Sequence, residues 1–181
     1  ILPGTIFFFF FAKAAIKDFV RNGGILIATH CVSLCGSNGT PFRNFALSDV
    51  MGVSFSGISD YDVDYVSGFK EDGADFLKMP ILLRYSKQQT EELYKGSSDN
   101  LFQSCLVNPK NNTEVLAWIN HPFCKNTKTR FVSHQHAHPG DRTNHPAITL
   151  NRYGQGKCIY IAAPLFHIYW TCGYLPIRQI L

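Results

Sequence analysis

The chain lacks any run of lysine and arginine. Its 17 basic residues are scattered over 181 positions, so a net charge of +4 comes without a stripe. That removes the phosphate-tracking surface on which nucleic-acid binding depends, and no nucleic-acid partner is expected. Long apolar runs are also missing. The most conspicuous, residues 6–12, is far shorter than the roughly twenty residues a bilayer needs, so no membrane partner is expected either. No basic stretch precedes that run and no small-residue cleavage site follows it, which excludes reading it as a signal peptide. Six cysteines are present without a C-x-x-C pair, which argues against a zinc ribbon. The phosphate-loop spacing is absent too: Gly154-Gln155-Gly156-Lys157 precedes a strand pattern, not a helix.

What is there describes one globular domain over 1–181. A hydrophobic fraction of 45% against 17% charged residues fits a chain that can bury a single core. A chain of this size does not need disulfides, and cysteines in apolar surroundings, such as Cys158 before Ile159-Tyr160, read as buried free thiols. Phe11, Ala15, Ile16, Phe19 and Val20 recur on a helical period from about Phe11 to Arg21, and Gly23-Gly24 follows. Ile25-Leu26-Ile27-Ala28-Thr29 is a continuous apolar run of the kind found in strands covered on both faces. Helix, glycine pair and buried strand make half of a βαβ unit. The segment His30–Arg43 reads as a loop at the end of that strand, where open α/β sheets bind ligands. A short helix is expected near Phe45–Met51 and a strand over Val53–Ser56. Further strands are expected at Ile81–Leu83, Ser104–Val107 and Glu114–Ile119, with turns at Gly96–Asn100 and Asn108–Asn112. Turns at that density predict an antiparallel or mixed addition. Ala147–Tyr153 and Cys158–Ala163 flank a glycine turn, and Phe166–Leu181 reads as helix interrupted by Gly173 and Pro176.

Several of these stretches together resemble one family, the β-galactosidase trimerisation domain of glycoside hydrolases. They are Phe19–Thr29, Phe45–Val53, Glu114–Ala117, and His145–Lys157 leading into Tyr160–Pro164. The resemblance implies a flavodoxin-like three-layer α/β sandwich with a mostly parallel sheet, related to class I glutamine amidotransferases, plus an irregular β-rich middle. It implies a domain that starts before Ile1, with a first βα unit and a catalytic TIM barrel upstream. The partners it implies are that barrel and further copies of the chain, in the family's pattern a trimer. It implies no cofactor and no catalytic residue in this chain. The family and the unpaired cysteines together favour the cytoplasm. One departure stands out: Phe7–Phe11 fills the place of a polar helix cap, and such a run suits a face against a partner domain.

Three side-chain groups are candidates for chemistry in their own right. Cys31 follows the apolar strand where an amidotransferase-like fold places a nucleophile, but the small neighbours of a nucleophile elbow are missing. His30, adjacent on a strand, would point to the opposite face. An amidotransferase-like enzyme using Cys31 is one alternative. A small-molecule binding module using His30, Ser33 and Arg43 of the loop is another. His134, His136 and His138 form H-x-H-x-H, which on a strand aligns three imidazoles for a metal, although Pro139-Gly140-Asp141 then favours a loop. Asp60, Asp62 and Asp64 alternate with Tyr61 and Val63, as on the wet face of an edge strand. Trp118, Tyr169 and Trp170 are expected in the core or at an interface.

Overall fold

The computed structural model describes residues 1–3, 7–8, 10–68, 80–84, 103–125, 127, 129, 132 and 137–180. The chain opens with β1 (Leu2–Pro3), β2 (Phe7–Phe8), α1 (Phe10–Arg21), β3 (Ile25–Thr29) and β4 (Cys35–Gly36). Then come α2 (Ser48–Met51), β5 (Val53–Ile58), β6 (Val63–Ser67), β7 (Ile81–Arg84), β8 (Cys105–Pro109) and β9 (Glu114–Pro122). It closes with β10 (Pro139–Tyr153), β11 (Gly156–Ile161), α3 (Leu165–Cys172) and α4 (Leu175–Ile180). The turn expected at Gly96–Asn100 lies outside the described residues.

The fold is mixed α/β, rich in sheet and with few helices. Its main sheet has seven strands in the order β1-β3-β11-β10-β9-β6-β7. Only β1, β3 and β11 run parallel; β11, β10, β9, β6 and β7 pair antiparallel in turn. The expectation of a mostly parallel sheet is therefore corrected. β11 meets its second neighbour through a tight Gly154-Gln155 turn, and a two-residue connection can only join antiparallel strands. Two small ribbons stand apart, a parallel β2–β4 and an antiparallel β5–β8.

The helix-to-strand unit forms as its pattern dictates. Ala12, Ile16 and Val20, four residues apart, face the core, and Val20 is fully buried. Phe11, Ala15 and Phe19 make a second apolar stripe that faces solvent. α1 ends where the amides of Gly23 and Gly24 return to Val20 O and Phe19 O, at 3.1 and 2.9 Å. It then packs so closely on β11 that a Cβ at Gly156 would collide with the carbonyl oxygens of Val20 and Gly24.

α2 is shorter than its apolar pattern suggests, and two of its carbonyls are satisfied from outside. Asn151 of β10 donates to Asp49 O at 3.1 Å and Val50 O at 2.8 Å, and Gly52 closes the helix with φ +71°. Pro176 interrupts nothing, since it falls in the first turn of α4, where proline is tolerated. No helix among the described residues is long and apolar enough to cross a membrane.

β6 is not an edge strand; it lies between β9 and β7. Accordingly Asp64 is fully buried and bound to His121 Nδ1 at 2.8 Å, while exposed Asp60 pairs with Lys125 at 2.6 Å. The alternating acidic face expected there is not present. Trp170 is exposed, and half-buried Trp118 carries the guanidinium of Arg142 4.7 Å above its ring.

Candidate functional site

The side chains most unlike a passive core gather past the C-terminal end of β3. Thr29 pairs with Ile161, and the ladder goes one step further, with His30 N donating to Ile161 O at 2.7 Å. There the chain turns. His30 adopts φ +56° and Ser33 φ +59°, left-handed values that a branched or bulky side chain rarely takes. Because His30 has left the strand conformation, the alternation expected of strand neighbours ends at Thr29. The imidazole and the Cys31 thiol then share one pocket, with Nε2 3.7 Å from Sγ.

β8 supplies the remaining parts. Cys105 N donates to Ala162 O at 2.9 Å, just beyond β11, and this brings Cys105 Sγ to 3.4 Å from Cys31 Sγ. Two residues earlier, the carbonyl oxygen of Gln103 lies 2.7 Å from His30 Nε2. A carbonyl only accepts, so that nitrogen carries the proton. The Tyr160 hydroxyl donates to His30 O at 2.9 Å. His30, Cys31 and Cys105 are all buried, and their ligand atoms lie within 4.8 Å of one another.

The two thiols are inequivalent. The hydrogen bond from Cys105 pulls Cys31 down to about 5, against its burial and with help from His30. Burial, and then Cys31 itself, push Cys105 well above the ordinary thiol range. The two thiols therefore titrate as one coupled pair. Cys158, buried without such a partner, is pushed up to about 12 by burial alone. Burial and then the neighbouring His30 lower His167 of α3.

This arrangement can hold a soft cation or stabilise a thiolate. Cys31 is only 2% exposed, whereas reactive cysteines are ordinarily partly open to solvent. The other loop candidates are held differently. Ser33 is buried and works for the backbone, its Oγ accepting from Leu47 N at 3.2 Å and its carbonyl from Ala46 N at 2.9 Å. Arg43 is exposed on the loop. His134 and His136 lie outside the described residues, while exposed His138 offers its carbonyl to Phe123 N at 2.7 Å. Two surface depressions among the described residues lie elsewhere, one beside Tyr61, Cys124 and Lys125 and one beside Lys110, Asn111 and Arg152. Cys105, Gln103 and Tyr160 escaped the sequence reading. Cys105 sat in a correctly placed strand, but its partner is 74 positions away and no local pattern marks the pairing.

The sequence matches no protein-family model and no curated protein. Solved structures do share the fold. The α-L-fucosidase isoenzyme 2 from Paenibacillus thiaminolyticus matches 99% of this chain with 23% of its own, at TM-score 0.71 and 20% identity. The β-galactosidase from Rahnella sp. R3 matches 97% of this chain with 22% of its own, at TM-score 0.58 and 19% identity. The β-galactosidase from Bacillus circulans sp. alkalophilus matches 96% with 22%, at TM-score 0.58 and 14% identity. At these identities the likeness establishes the fold. This chain spans less than a quarter of the length of each of these proteins.

Proposed function

We propose that the chain is a non-catalytic accessory domain of a glycoside hydrolase, with the sugar-cleaving carboxylates in a TIM-barrel domain outside it. The observation that carries this reading is one of proportion: nearly the whole chain corresponds to a segment of about a fifth of each of several glycosidases. The finer reading is a β-galactosidase trimerisation domain. In it the parallel β1–β3–β11 unit with α1 is the flavodoxin-like part, a further βα unit lies upstream, and copies of the domain associate. The solvent-facing stripe of α1 and the 87% exposed Trp170 support an assembly role, since large aromatics left in water suit a covered face.

Assay of the purified chain with aryl β-galactosides and aryl α-fucosides tests the first part. No turnover is expected, and turnover would overturn the reading. Sedimentation velocity tests the second. The chain should associate, and Phe11→Glu with Trp170→Glu should leave monomers; a wild-type chain that stays monomeric at high concentration removes the assembly role.

A further inference from the structure

We infer that His30, Cys31 and Cys105 form a buried binding site for one thiophilic divalent cation of the zinc class. The distances suit it. A tetrahedral zinc, with Zn–S of about 2.3 Å and Zn–N of about 2.0–2.1 Å, holds two sulfurs about 3.8 Å apart and sulfur and nitrogen about 3.6 Å apart. The corresponding separations here are 3.4 and 3.7 Å. These two differ from the tetrahedral values by about 0.4 and 0.1 Å, and all three ligand atoms lie within 4.8 Å of one another.

The chemistry selects the ion. Two thiolates and an imidazole are soft to borderline donors, suited to zinc and not to calcium or magnesium. Two thiolates also neutralise a divalent charge, so the loaded site adds no net charge to a buried place. Binding through Nε2 puts the ion where the proton now points, so His30 gives up its hydrogen bond to Gln103 O and the ring turns away from that carbonyl.

The backbone is built to hold this set. His30 is fixed at both of its peptide groups, by Ile161 O and by the Tyr160 hydroxyl, and Cys105 is fixed by Ala162 O. The left-handed turn at His30 is what brings neighbouring side chains together. Strain retained at a cluster of ligating groups points from geometry to use. A disulfide between the cysteines would leave the imidazole without a part, whereas a metal uses all three groups.

The test uses the purified full chain, reduced, stripped with chelator and refolded with Co²⁺ as spectroscopic probe, since buried ligands admit an ion only on opening. Saturation at one Co²⁺ per chain is expected, with thiolate-to-metal charge transfer and tetrahedral d–d bands that Zn²⁺ displaces. Cys31→Ser and Cys105→Ser should each weaken the charge transfer, while Cys35→Ser and Cys172→Ser should not. His30→Asn keeps both sulfurs and tolerates the left-handed backbone; it should weaken Co²⁺ binding roughly tenfold or more. Circular dichroism of each metal-free variant monitors folding. Three results would overturn the site: no saturable charge transfer, bands that survive in the Cys31→Ser/Cys105→Ser double variant, or a Cys31–Cys105 disulfide in protein isolated with zinc present. Should the serine variants not fold, His30→Asn with wild-type affinity overturns it instead.

Discussion

Gly156→Ala probes how closely α1 lies on the sheet. Gly156 does not have a left-handed φ, so the substitution is not strained by backbone conformation. Its cost comes from space: the new methyl would collide with the carbonyl oxygens of Val20 and Gly24. Neither can retreat freely. Val20 O accepts from Gly23 N at 3.1 Å, and Gly24 O accepts from Lys157 N at 3.2 Å. Overpacking of this kind costs about 1–3 kcal/mol, and disturbing the two hydrogen bonds adds about 1 kcal/mol. Restricting the unfolded chain returns roughly 0.5 kcal/mol. The net loss is about 1.5–3.5 kcal/mol, which for a domain of this size lowers Tm by roughly 3–14 °C. Differential scanning calorimetry measures it against Gly57→Ala, whose added methyl meets nothing within 4 Å. That control should keep Tm or raise it slightly. If Gly156→Ala melts within about 2 °C of wild type, the helix does not sit on β11 as described.

The Asp64–His121 pair should matter far more than Asp60–Lys125. His121→Phe leaves a fully buried carboxylate one partner short, at about 2–3 kcal/mol by urea denaturation, whereas Lys125→Ala should leave the midpoint unchanged. Asp49 gives a pH signature. Burial raises its pKa, but Lys17 at 2.5 Å and the amides of Asp49 and Val50 outweigh burial and hold the carboxyl below its ordinary value. Its contribution, under about 1 kcal/mol because Asp49 is partly exposed, is present above the ordinary carboxylate pKa and disappears as pH falls through the lower folded value. The stability gap between wild type and Asp49→Asn should therefore start to shrink near about pH 4 and close only as pH falls past the lower folded value, and a gap that stays constant through that range would contradict the assignment.

Local patterns carried much of this fold. The period of α1, the glycines behind it and the apolar run of β3 stand where the residues place them, because each is decided within a dozen positions. The β10–β11 hairpin was legible for the same reason. Strand neighbours were not: β6 looked like an edge because its charges alternate, yet β9 and β7 flank it, and Asp64 is accommodated only through distant His121. The candidate site divides in the same way. Cys31 and His30 could be singled out at a strand end, but the strand rule set them on opposite faces, and the rule stops applying where φ changes sign at His30. Cys105 joins them through β8, a contact no spacing in the sequence announces.

The position of β3 has a consequence for how the molecule assembles. Its register sets Ile25 beside Lys157, so the β1–β3 pair joins the rest of the sheet only when the two ends of the chain meet. The β10–β11 hairpin needs no such meeting, since its strands are joined by two residues. Hairpins form in microseconds, while pairing across most of a chain waits on closure of the whole intervening loop. The C-terminal hairpin is thus the surface on which β3 docks late. The pocket of His30, Cys31 and Cys105 lies at that seam, and it comes into being only as the two ends of the chain are joined.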